Sequence, residues 1–216
     1  MHLPPHFEQT DRAQLAALMA AHPLATLVTR RGDGFTADHL PLIYDAGVGE
    51  HGLLRGHVAR ANPLWREAAG SEVLAVFSGP QAYITPSWYP SKAATAKVVP
   101  TWNYAVVHAH GPLRVIEDAP WLRGLVTELT QRHEGARAHP WQVSDAPDDY
   151  LQQMLRAIVG IEVPLTALVG KWKVSQNRGQ ADRLGVVAGL AGEAGDNAAA
   201  MAALVQPPSP SGRGQG

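Results

Sequence analysis

Apolar positions along the chain repeat with two periods. Leu15, Leu18 and Met19 follow Asp11 and Gln14 at helical spacing until His22-Pro23 stops the run, which predicts a short capped helix. The period then drops to two. Leu24 to Thr29 and Phe35 to Tyr44 are β-rich runs on either side of Arg31-Gly32-Asp33-Gly34, a turn sequence that makes them a hairpin. Leu53 to Val58 and Val73 to Phe77 add strands, and between them Asn62 is placed to cap a short helix opening at Pro63. Tyr104 to Val115 predicts a long strand with His108 and His110 on one face. Helical spacing returns at Pro120, where Trp121, Leu122, Leu125, Val126 and Leu129 form a stripe that Gly135 ends. A second helix starts at Asp148-Asp149, presents Leu151, Met154, Leu155 and Ile158, and stops at Gly160. Ile161 to Val169 reads as another strand, with Pro164 marking an edge or a bulge. At least six strands, hairpin turns and no βα alternation predict a mainly β protein, a small antiparallel barrel with peripheral helices.

One stretch breaks the rhythm. Between Gly79 and Tyr104, the rings of Tyr83, Trp88, Tyr89, Trp102 and Tyr104 are interleaved with Ser, Thr, Lys, Asn and Pro. Rings in such a setting suit a slot for a flat ligand with polar edges, because pockets combine apolar walls with a few placed polar groups; they would equally serve to plug a barrel end. A second candidate lies at His57-Val58-Ala59-Arg60-Ala61-Asn62-Pro63, where a strand gives way to a capped turn. There a ring donor, a guanidinium and free N–H groups could converge on a phosphate; the alternative is a surface ion pair for Arg60 and a core hydrogen bond for His57.

Composition narrows the classes. At 216 residues and 45% hydrophobic content the chain can bury one sizeable core, and a single domain over 1–185 is expected. From 186 to 216 the chain is rich in Ala, Gly and Pro and ends in QPPSPSGRGQG, which predicts a mobile tail. A formal net charge of -1 provides no global field for nucleic acid, so DNA binding would need a local basic patch. Lys171, Lys173, Arg178 and Arg183 around Trp172 and Gln176-Asn177 form one such patch, suited to a solvated face, a cofactor edge or a DNA backbone. The absence of cysteine excludes disulfides and thiolate chemistry. His108 and His110 lack a third ligand at suitable spacing, so no metal site is expected. Gly32-x-Gly34-x-x-Ala37 precedes a strand rather than a helix and reads as the hairpin turn. With no leader pattern and no apolar run near 20 residues, a cytoplasmic protein away from the membrane is expected.

The segments PPHFEQTD, HLPL (39–42), GHVARANPLW (56–65), FSGPQAYITPSWYPSK (77–92), VPTWNY (99–104) and KVSQNR (173–178) resemble, in collinear order over about 1–185, the PaiB family of FMN-binding negative transcriptional regulators. The resemblance implies an antiparallel six-stranded split β-barrel of the FMN-binding type, related to the pyridoxamine-phosphate oxidases. It also implies a homodimer holding FMN in clefts between protomers. Within the matched blocks, His57, Arg60 and Asn62 are placed at the phosphate. His39, Thr101, Trp102, Asn103 and Tyr104 are placed along the ribityl chain and ring, Lys92 at a ring carbonyl or the phosphate, and Gln176 and Arg178 as contacts from the partner subunit. A flavin oxidoreductase or flavin reductase using the same pocket is the competing function, since flavin carries the redox chemistry itself. Haem at the histidine-bearing strand is a third reading that related split barrels allow. No helix-turn-helix is legible: the two helices after Pro120 are joined by about a dozen residues, and the second is acidic at its start.

Overall fold

The computed structural model describes residues 1–206; the Pro- and Gly-rich end, 207–216, lies outside the described residues. Among the described residues ten strands stand where six were expected, and they form two antiparallel sheets flanked by helices. The six-stranded sheet has the order β1 (Glu8–Gln9), β10 (Ala167–Lys173), β7 (Thr101–Pro112), β6 (Glu72–Ile84), β2 (Leu24–Arg31), β3 (Gly34–Pro41). The four-stranded sheet has the order β4 (Ile43–Asp45), β5 (Leu53–Ala59), β9 (Ile158–Pro164), β8 (Arg114–Ile116). The chain divides into two compact units. One comprises Met1–Asp11, Ser78–Val106 and the chain from Gly170 onward; the other comprises Arg12–Phe77 and Val107–Val169. Strands β6, β7 and β10 each run from one unit into the other.

In the second unit, two expected long strands turn out to be corners. The run from Phe35 to Tyr44 breaks at Leu42, so β3 and β4 lie in different sheets; the run from Tyr104 to Val115 breaks at Leu113, so β7 and β8 do the same. Both corner residues are buried, and each keeps its backbone paired: Leu42 N–H donates to Pro23 O, and Leu113 exchanges bonds with Gly70 and Ser71. Each corner keeps its peptide groups paired, and a Pro stands just before each one, Pro41 before Leu42 and Pro112, itself after Gly111, before Leu113. Gly32, at φ +57°, closes the expected hairpin, and the register Arg31↔Gly34 through Leu24↔Pro41 follows from that turn. Helix α1 (Arg12–Ala21) buries Leu15, Leu18 and Met19. The short helix α2 is Leu64–Glu67, one residue later than expected, with Asn62 Oδ1 accepting from Leu64 N–H.

Helices α4 (Ala119–Glu134) and α5 (Asp148–Arg156) pack through Leu122, Leu151 and Leu155 with Val143. Asp118 caps α4 by accepting from Trp121 N–H. The second helix ends at Arg156 rather than Gly160, because Ile158 already pairs with Ala59 in β9; Met154, expected on the apolar face, is exposed. Pro164 ends β9, and a separate strand, β10, follows it.

In the first unit the aromatic stretch is more regular than expected, since β6 extends to Ile84. Gly79 and Pro80 are buried in succession, which shifts the in-out alternation by one, so that Gln81 and Tyr83 are exposed while Ile84 is buried. A turn at Pro86–Trp88 and helix α3 (Ser91–Thr95) complete the segment. The Ala- and Gly-rich chain expected to be mobile forms helices α6 (Gln180–Ala191) and α7 (Asp196–Val205) as far as it is described. These bury Val186, Leu190, Ala198, Met201 and Val205. Ala and Gly allow close helix approach beside Val, Leu and Met, so a Gly- and Pro-based expectation of disorder understates what this segment buries.

Candidate functional site

The first unit collects seven of the expected site residues. Successive residues of β7 alternate: Thr101, Asn103 and Ala105 lie on one face, while Trp102 and Tyr104 lie on the other. Asn103 is fully buried and donates to Ser175 Oγ at 2.9 Å, so it fastens β7 to the turn after β10. Gln176 holds the same turn by accepting from Val174 N–H and donating to Trp172 O. Ser175 sits at φ +64°, where the Asn103 bond fixes it. Lys173 Nζ donates to Thr101 Oγ1 and to Trp102 O (2.9 Å). Lys171 is buried; its ammonium donates to His2 O at 2.9 Å and lies 5.3 Å from the centre of the Tyr104 ring. Arg178 stacks on Tyr89, 4.8 Å from the ring centre. Trp102 is half exposed beside Tyr83, with ring centres 6.1 Å apart, and its indole N–H donates to Gln81 Oε1. Lys92 is exposed on α3 and reaches Ser87 Oγ at 3.3 Å.

Helix α6 buttresses this loop. Gly185 and Gly189 are one turn apart; a β-carbon at Gly185 would meet Trp88 O at 2.0 Å, and one at Gly189 would meet the Trp88 ring at 2.2 Å. Asp182 is buried and accepts from both Ser91 N–H (3.0 Å) and Ser91 Oγ–H (2.7 Å). Arg183 donates to Val205 O and ties α6 to the end of α7.

The second unit holds His39, His57, Arg60 and Asn62. Arg60 N–H donates to Ala157 O, and its guanidinium donates to Arg156 O (2.8 Å), Ile158 O (3.2 Å) and the Glu117 carboxylate (2.5 Å). The residue thus gathers the carbonyls at the C-terminal end of α5, where a helix presents partial negative charge. Trp65 donates its indole N–H to Arg60 O, and the Arg60 and Arg66 guanidinium groups lie 5.8 and 4.3 Å from its ring centre. The ion-pair alternative read from sequence is therefore realised at Arg60. Asn62 is likewise engaged, donating to Asp38 Oδ1 at 2.7 Å. His39 is exposed on β3. His57 stands opposite Gly160. Partners across an antiparallel pair share a face, and a β-carbon at Gly160 would strike the Trp121 ring of α4 at 2.3 Å, so His57 lies on the α4 side of its sheet. Its Nδ1 is buried without a hydrogen-bond partner, and burial holds its pKa below the ordinary range.

Sequence reading left out Trp65, Glu117 and the Gly185–Gly189 notch. Trp65 ends the segment GHVARANPLW, and the two glycines share a helix face, so both left a signal. Glu117 left none, because only the fold brings it to Arg60. Among the described residues no group of three or more His, Cys, Asp or Glu side chains could hold a metal ion, and no helix is long and apolar enough to cross a membrane.

Comparison with known proteins bears on this geometry. The family described as "Putative FMN-binding domain" matches residues 1–167. The Bacillus subtilis protein named "Protease synthase and sporulation protein PAI 2" is 32% identical over 207 residues, covering 95% of this chain and 97% of that one. The chain belongs to the PaiB family of FMN-binding proteins. The Emericella nidulans protein AN0679 is 38% identical over 186 residues, 71% of this chain and 74% of its own. Among solved structures, the FAD and heme binding protein of Mycobacterium smegmatis superposes at a TM-score of 0.58 with 18% identity, covering 77% of this chain and 73% of that one. The flavocytochrome Anf3 of Azotobacter vinelandii superposes at 0.56 with 12% identity, covering 79% and 72%. At such identities the likeness concerns the fold, and it agrees with the split-barrel architecture implied for a PaiB-family chain.

Proposed function

We propose that this PaiB-family protein binds FMN as a homodimer and serves as a negative transcriptional regulator. The observation that carries the reading is a relative in Bacillus subtilis, named for protease synthesis and sporulation, that aligns over almost the whole of both chains. The first unit fits FMN. Trp102 and Tyr83 offer half-exposed ring faces, Gln81 an amide beside them, and Tyr104 a hydroxyl on the Trp102 face of β7. Bound FMN would supply redox chemistry, while these side chains hold the ring and orient its polar edge. Exposed apolar residues favour a second copy of the chain: Phe35, on edge strand β3, is 80% exposed, and a large bare aromatic on an edge invites a partner.

A flavin oxidoreductase is the second reading, and the helices favour it. Among the described residues, α4 and α5 are separated by the chain from 135 to 147, and α5 opens on Asp148 and Asp149, so this pair lacks the tight turn and basic second helix of a helix-turn-helix. Two measurements on FMN-loaded protein separate the functions. A regulator is expected to retain genomic DNA fragments in a salt-dependent manner and to keep its flavin band on anaerobic mixing with NADH or NADPH. Rapid bleaching without DNA retention would assign the oxidoreductase instead.

A further inference from the structure

We propose that Lys171, Lys173 and Arg178 form a binding site for an oxyanion of the phosphate or carboxylate class. The three cations share one unit and belong to β10 and the turn that follows it. Among the described residues none of the three makes an ion pair with a carboxylate. Lys171 and Lys173 donate to neutral oxygens of His2, Thr101 and Trp102, and Arg178 lies against the Tyr89 ring. Glu8 stands opposite Lys171 in the β1–β10 register without bonding it, and the Asp182 carboxylate is occupied by Ser91. Burial, together with the charges of Lys171 and Arg178, holds the Lys173 ammonium below its ordinary pKa, and only Tyr104 opposes them.

Such an arrangement is costly without a counter-ion. A buried ammonium loses hydration, and neighbouring cations repel each other, so a cluster with neutral oxygens alone remains short of negative charge. An oxyanion would supply it, accepting from ammonium and guanidinium groups that are already oriented by Thr101, His2 and Tyr89. Lys171 is only 8% exposed, which suits a small anion entering a recess better than the backbone of a duplex. Tyr89 adds a second observation. Its hydroxyl is buried with no acceptor for its O–H, against the Arg178 guanidinium, leaving a donor beside that cation. The site stands on these residues alone; only its use as a seat for the FMN phosphate rests on the FMN reading.

Inorganic phosphate is the probe, applied to the full chain and to Lys173→Gln and Arg178→Gln, with sodium chloride at equal ionic strength as control. Phosphate is expected to raise the unfolding temperature of the parent above the chloride control and to lose that effect in both variants. Affinities for FMN and riboflavin then identify the anion. If it is the FMN phosphate, the variants lose about ten- to a hundred-fold in FMN affinity and nothing in riboflavin affinity, and phosphate competes with FMN. If it is a separate ligand, FMN affinity is unchanged and phosphate still stabilises the FMN-loaded parent. Equal phosphate effects in parent and variants, or equal losses of FMN and riboflavin, would overturn the site. A parent that binds neither flavin would end the FMN reading and leave the phosphate comparison to decide. Should Lys173→Gln not fold, Arg178→Gln decides alone.

Discussion

Arg60 directs its guanidinium at its own chain. It joins the end of β5 to the carbonyls of Arg156 and Ile158 and to Glu117, so Arg60→Ala is expected to lower unfolding stability by about 1–3 kcal/mol in urea titration, with Arg60→Lys restoring little because one ammonium cannot span both carbonyls. Unchanged stability in Arg60→Ala would return the guanidinium to the role of a free anion ligand. His57 makes a prediction in pH. Burial depresses its folded pKa, so between pH 6.5 and that lower value the unfolded chain binds the extra proton, and stability falls as pH falls through this window. His108, also depressed by burial, adds to the same slope. Glu128 contributes only lower down: burial raises its pKa, but hydrogen bonds from Arg132 and Arg55 prevail and hold it below the carboxylate range. His57→Leu should therefore flatten the loss of stability between pH 7 and 5.5; an unaltered profile would place the titration elsewhere.

At the scale of elements, contacts between small and large residues decide the geometry. Trp88 rests on the Gly185–Gly189 notch of α6, and Asp182 of the same helix fixes Ser91. Gly189→Leu is expected to expel the Trp88 ring and raise hydrogen exchange through α3, α6 and α7 together; exchange confined to residue 189 would mean that the elements open independently. On the other sheet Gly160→Ala would drive a methyl group into Trp121, at a cost of about 1–3 kcal/mol. These contacts also explain what the sequence could convey. The hairpin at Gly32 and the stripes of α1 and α4 were legible because turn chemistry and periodicity are local. The corners at Leu42 and Leu113 were passed over because the apolar alternation runs on through them, although Pro41 and Gly111-Pro112 stand before them as breakers. The α6–α7 pair was hidden for a different reason: its glycines signal disorder in composition and close packing in a fold. At the candidate site, residue types near Arg60 were visible, but its partner Glu117, 57 positions away, was not.

For the whole molecule, two sheets linked by strands that change partners make a scaffold on which a flavin family has been built, and the chain shares that family over most of its length. Dimerisation belongs to this scale. Sedimentation of the purified protein is expected to give twice the monomer mass, and Phe35→Glu on β3 to shift it toward the monomer; a dimer indifferent to that change would place the seam on another surface. The central claim is that the protein holds FMN. Titration of flavin-free protein with FMN, followed by quenching of flavin fluorescence, tests it most directly: the account predicts saturation at one FMN per chain, whereas a protein that leaves FMN fluorescence unquenched at every concentration would contradict it.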